Sequence, residues 1–113
     1  MTQEHQAILA LLKSSAVGKQ NAIKSDDIFR QLTSQGMPIF QGRTQEQIRQ
    51  NIRELVNTET ELIGSGSNGY FIISNAIEAK ESIESLEQRA TTIKARANHI
   101  KNLWNSNNPA NTI

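Results

Sequence analysis

The sequence predicts a mainly α fold of the α+β class: a small helical domain closed by a β-hairpin, residues 1–74, followed by one long helix, residues 75–105. Three observations predict it. Three segments before residue 57 carry apolar residues at helical spacing behind recognisable caps. Two short strand-forming runs then flank Gly64-Ser65-Gly66-Ser67-Asn68-Gly69. From Asn75 onward an apolar seam alternates in steps of three and four for about four repeats. The 113 residues suit one ordinary domain, and a hydrophobic fraction of 36% points to a small core with part of the chain highly solvated.

The first helix is expected over 2–14, with Thr2 as cap and Ile8, Leu11 and Leu12 as its stripe. Ser14 to Asn21 reads as a polar loop, and Ala22-Ile23-Lys24 as a short extended segment. Ser25 reads as the cap of a second helix, with Asp26 and Asp27 in a first turn that favours negative charge. Ile28, Phe29 and Leu32 supply its apolar face and Gly36 its stop. Residues 37–42 connect to a third helix. There Thr44-Gln45-Glu46-Gln47 has the form of a capping box, so the helix begins at Gln45. Ile48, Ile52, Leu55 and Val56 share one face of about 100°. The other face carries Glu46, Gln47, Gln50, Arg53 and Glu54, with Arg43 just ahead and Arg49 on the flank.

The run GSGSNG has the G-x-G-x-x-G spacing of nucleotide-binding loops. A dinucleotide site, however, needs a helix to start at the third glycine and aim its N-terminus at the pyrophosphate. Strand formers, Tyr70-Phe71-Ile72-Ile73, follow here instead, after Glu61-Leu62-Ile63 on the other side. The chain also has no room for the lysine strand, catalytic loop and metal-binding aspartate of a kinase. The glycines therefore read as a flexible hairpin tip. Of Tyr70 and Phe71, one ring should pack inward and the other outward.

Over 75–105, Asn75 reads as the cap with Glu78 as its reciprocal partner. Ala76, Ala79, Ile83, Leu86, Ala90, Ile93, Ala97, Ile100 and Trp104 form the seam, narrow because many of its members are small. Thirty residues make about 45 Å of helix, longer than a compact domain of about 75 residues is wide. Some of the seam must therefore find a partner. Acidic residues fill its first half and basic residues its second, an order that suits the helix dipole and would also make two antiparallel copies complementary. Self-association through Ile83, Leu86, Ala90, Ile93, Ala97, Ile100 and Trp104 is the expectation, giving a homo-dimer or higher homo-oligomer. Residues 106–113 read as a disordered tail.

Helix, short strand, helix, turn, helix, hairpin is the order of a winged helix-turn-helix domain. RTQEQIRQNIRELVNTETELIGSGSNGYFII, residues 43–73, resembles the recognition-helix-and-wing segment of winged helix-turn-helix proteins of bacteriophages and prophages. The resemblance implies a duplex-DNA-binding protein, acting as a transcription regulator or a replication-associated factor. A recognition helix over about 45–57 would enter the major groove and a wing over 64–69 would meet the backbone. Arg43, Thr44, Gln45, Gln47 and Gln50 are then the candidates for base edges, since Arg pairs with guanine and Gln with adenine through two bonds. Arg49 and Arg53 are the candidates for phosphates. Ser65, Ser67 and Asn68 would contact phosphate or the minor groove, with little electrostatic contribution because the wing holds no Lys or Arg.

Composition limits other classes. Formal net charge is only +1, from 12 basic and 11 acidic side chains, so nucleic-acid binding must rest on a local patch. Glu46 and Glu54 lie on the same face and repel phosphate, and the alternative reading is a protein–protein adaptor that docks on a host or replication protein without binding DNA. With no cysteine, thiolate metal sites and disulfides are excluded, which suits the cytoplasm. No apolar run is long enough for a membrane span, and the first residues lack the order of a signal peptide. His5 and His99 lack metal-ligand spacing, and no nucleophile–base constellation can be assembled, so neither a cofactor nor enzymatic activity is expected.

Overall fold

Thr2 starts the first helix by exchanging hydrogen bonds with His5: its hydroxyl accepts from the His5 amide at 3.1 Å and its own amide donates to His5 Nδ1 at 3.3 Å. The histidine thus supplies the half of the capping box normally given by Glu or Gln. The computed structural model describes residues 1–58 and 60–113, and these form a mainly helical chain with one two-stranded antiparallel hairpin and a long C-terminal helix. Helices α1 (Gln3–Ser15), α2 (Ser25–Ser34) and α3 (Gln45–Val56) precede strands β1 (Ile63–Gly66) and β2 (Gly69–Ile72), and α4 (Ala76–Asn107) follows. The contacts divide the chain into two units, Met1–Ala79 and Lys80–Ile113.

In the first unit α1, α2 and α3 pack their apolar faces on one another. Ile8, Leu12, Ile28, Leu32, Phe40, Ile48, Ile52 and Leu55 are almost wholly removed from water. Burying each such side chain is worth about 1.5–3 kcal/mol, which is the main drive holding three short helices together. The stripe on α1 is wider than its spacing predicts, since Leu9 is buried as well. Phe40 comes from a single tight turn, Pro38–Phe40, in a segment that reads as a plain connection. Phe71 is the inward ring of the hairpin, and Tyr70 is half-buried against the core.

The second helix begins one position differently from its sequence signal. Ser25 is the first helical residue, and Lys24 stands at the cap with extended backbone and no side-chain bond. The cause lies just upstream: Ile23 exchanges backbone hydrogen bonds with Tyr70 at 2.9 and 2.8 Å. This short bridge holds the chain extended through Lys24. The segment before it pairs too, with Gly18 donating to the Ile72 carbonyl and Ile72 to that of Ala16. Gly36, at φ +71°, ends α2 as expected.

The glycine run is only partly turn. Pairing continues through it, with Gly64 opposite Phe71 and Gly66 opposite Gly69, so that only Ser67 and Asn68 remain as the turn. Two of its glycines, Gly64 and Gly69, allow close approach. A Cβ on Gly64 would run into the Phe71 ring, and one on Gly69 would run into the Ile23 carbonyl. Gly69 also holds φ +113°, a conformation that L side chains rarely adopt.

At the start of α4, Asn75 Oδ1 accepts from the Glu78 amide as its cap. The Glu78 carboxylate does not return a bond to Asn75; it accepts from the amides of Ser74 and Lys19, at 2.9 and 2.8 Å, and from the Ser74 hydroxyl. Those backbone bonds, from Lys19 first, hold its pKa below the ordinary glutamate value.

In the second unit the residues that read as a tail, 106–113, begin within α4 and hydrogen-bond back to its end. The helix runs on to Asn107, the Trp104 indole N–H donates to the Asn111 carbonyl at 2.8 Å, and Asn105 Oδ1 accepts from the Ile113 amide. Asn108 donates to the Trp104 carbonyl as well. Asparagine side chains, which bond neighbouring backbone readily, replace the apolar contacts that this stretch lacks.

Candidate nucleic-acid interface

The α3 helix is fixed at its start by its capping box: Thr44 Oγ1 accepts from the Gln47 amide at 3.2 Å, and Gln47 Oε1 accepts from the Thr44 amide at 2.8 Å. Its inner face, Ile48, Ile52 and Leu55, is fully buried. Its remaining surface therefore turns outward and carries the residues singled out from the sequence. Arg43, Thr44, Gln47, Gln50 and Arg53 are exposed, while Gln45 and Arg49 are half-buried.

These side chains are engaged with one another and with acids from two other helices. Arg43 pairs with Glu4 of α1, which also accepts from Asn51. Asp26 of α2 accepts from Gln45 and, at 3.2 Å, from Arg49. Glu46 takes Arg53 at 2.6 Å and Arg49 at 3.7 Å. Gln50 accepts from Arg53 Nε and Nη2 at 3.2 and 3.0 Å and donates to Glu54 at 3.3 Å. Glu54 completes the chain by accepting from His5 Nε2 at 2.9 Å. Because the Thr2 amide donates to Nδ1, the proton of the neutral ring sits on Nε2, the atom facing Glu54. His5 is itself buried, with 8% exposure.

The network thus sets Arg43, Arg49 and Arg53 against Glu4, Asp26 and Glu46, with Glu54 held by His5 and Gln50. The local patch that nucleic-acid binding would need is not basic: three guanidinium groups stand among four carboxylates. Glu46 records that pairing: the Arg53 guanidinium, by hydrogen bond and by charge, holds its carboxyl below the ordinary glutamate range. Sequence reasoning missed Glu4 and His5 and gave Asp26 only a helix-dipole role. No local signal marks them, because their partners lie far along the chain. Ser65, Ser67 and Asn68 are exposed on the hairpin and take no part in this network.

On α4 no described residue is buried. Ile83, Leu86, Ile93, Ile100 and Trp104 are between 45% and 70% exposed, and Ala90 and Ala97 are exposed with them. Among the described residues no group of three or more His, Cys, Asp or Glu could hold a metal ion. Among the described residues no helix is long and apolar enough to cross a membrane. Comparison with protein-family models, with curated proteins and with solved structures gives no match to this chain.

Proposed function

We propose that this chain is a duplex-DNA-binding protein of winged helix-turn-helix type, a cytoplasmic regulator or replication-associated factor of a phage or mobile element. In this reading α3 enters the major groove, the Ser67-Asn68 turn meets the backbone, and α4 joins two or more copies. The observation that carries it is the outward face of α3, where two arginines and three glutamines project, with Arg43 just ahead, from a helix fixed by its cap and its buried face. The order of three helices and a hairpin, with the Ile23 bridge beside β2, supports the same reading.

The internal ion pairs weaken this interface without closing it. Arg49 and Arg53 are 42% and 51% exposed, and exposed pairs are worth about 0–1 kcal/mol each, so a phosphate can replace Asp26 or Glu46 as the partner. Net affinity for unselected duplex is therefore modest, and recognition leans on Gln45, Gln50 and Arg43 at base edges. The test is an electrophoretic mobility assay on a duplex selected from random sequence. Arg49→Ala and Arg53→Ala should each weaken binding about five- to tenfold, a loss of about 1–1.4 kcal/mol, below the roughly 1.5–3 kcal/mol of a charged hydrogen bond because each arginine gives up an internal partner to bind. Unchanged binding in both variants would remove α3 from the interface.

A second reading, a protein–protein adaptor without DNA binding, is favoured by one observation: each of the three arginines is already paired with a carboxylate, Glu4, Asp26 or Glu46. It calls for no duplex affinity at low salt and for a protein partner captured by α4.

A further inference from the structure

The proposal that α4 joins copies of the chain leaves open how two such helices would meet, and the following rests on that reading. We infer that α4 pairs with α4 of a second copy antiparallel, in a register that sets Trp104 on Ala79, Ile100 on Ile83, Ala97 on Leu86 and Ile93 on Ala90 of the other copy.

Size carries the argument first. Ala76, Ile83, Ala90, Ala97 and Trp104 form one edge of the seam, and Ala79, Leu86, Ile93 and Ile100 form the other. In a parallel pair each residue meets its own copy. Ala90 and Ala97 would then face themselves and leave voids, while two indoles would compete for one layer; voids and overpacking both destabilise a core. Reversing one helix brings the two edges together. In the stated register three of the four distinct layers place a large side chain against an alanine, and the fourth joins two isoleucines. Each layer occurs twice by symmetry. The exposed Ile83, Leu86, Ile93, Ile100 and Trp104 are all covered. Trp104 is held for this contact by its bond to the Asn111 carbonyl.

Charge agrees. Glu78, Glu81, Glu84 and Glu87 stand with one lysine, Lys80, in the first half of the helix; Arg89, Lys94, Arg96 and Lys101 stand in the second without an acid. Parallel pairing lays like halves together and sets Arg89 against Lys94 and Arg96 against Lys101 along the seam. Antiparallel pairing lays the acidic half on the basic half and brings Glu87 to Lys94 twice. It also brings Lys80 near Lys101 and Arg89 near Arg96, twice each, as many like-charge contacts as the parallel pair makes; the difference is the two Glu87–Lys94 contacts and the overlay of opposite halves.

The chain has no cysteine, so introduced thiols report geometry without interference. Full-length Leu86→Cys and Ala97→Cys chains would be oxidised separately and as a mixture, with sedimentation confirming association. In the inferred register Leu86 lies about 16 Å along the axis from its own counterpart, beyond disulfide reach, but directly opposite Ala97. The expected result is cross-linking in the mixture and little in either variant alone. Cross-linking of each variant to itself would overturn the proposal in favour of parallel pairing. Association without any cross-link would overturn the register. Should Leu86→Cys lose association, a spin label on Ala97→Cys decides: about 18 Å between backbone positions for the inferred pairing, about 9 Å for a parallel one. A chain that stays monomeric at all concentrations would overturn the self-association reading too, while leaving DNA binding to be judged by its own assay.

Discussion

At Gly69 two requirements meet in one residue: a positive φ and an approach to the Ile23 carbonyl that leaves no room for a Cβ. Gly69→Ala should therefore cost about 1–3 kcal/mol, well beyond ordinary turn substitutions, read as a lowered midpoint in urea. The same change at Gly66, where a Cβ meets open space and φ is not positive, should cost much less. Among the charged residues, Asp26 and Glu4 hold Arg49 and Arg43, and in the proposed interface they compete with DNA for them. Asp26→Asn and Glu4→Gln should tighten duplex binding about three- to fivefold, on the scale of an exposed ion pair. Asp27→Asn is the control, because Asp27 pairs with Arg30 of its own helix and touches none of the three arginines. Equal gains in all three variants would mean that only net charge matters.

At the scale of elements, Glu78 links the loop at Lys19, the residue Ser74 and the first turn of α4 through one carboxylate. Its pKa is depressed from 4.5, as is that of Glu46 on α3. A depressed carboxylate stabilises the fold fully above its unfolded value and loses that contribution as pH falls through its lower folded value. Thermal stability should thus be flat down to about pH 5 and fall below pH 4.5, and Glu78→Gln should shrink that fall. An unchanged pH profile would remove Glu78 from the linkage.

The elements differ in how plainly the sequence announces them. Thr44 with Gln47 and the buried Ile48, Ile52 and Leu55 are readable because a capping box and a helical stripe are local patterns. Ser25 misleads because the strand-like bridge at Ile23, made to a residue far along the chain, sets where α2 begins. The glycine run misleads for a related reason: its members answer to Phe71 and Ile23, which spacing alone does not reveal. The pairing of Arg43 with Glu4, and of Arg49 with Asp26, is a tertiary fact of the same kind.

For the whole molecule, the proposed interface exchanges internal pairs for phosphate contacts. Arginines that leave Glu4, Asp26 and Glu46 free those carboxylates to collect cations, which offsets part of the counterions released from DNA. The two arginine–phosphate contacts, from Arg49 and Arg53, would alone give a slope of log affinity against log salt near about −1.8 per copy. The measurement that tests the central claim most directly is fluorescence anisotropy of a labelled duplex titrated with the protein between about 50 and 200 mM salt. Binding with a negative slope shallower than that limit, steepened by Asp26→Asn, is the expected result. No binding at the lowest salt, with the chain folded, would contradict the claim that this protein reads duplex DNA.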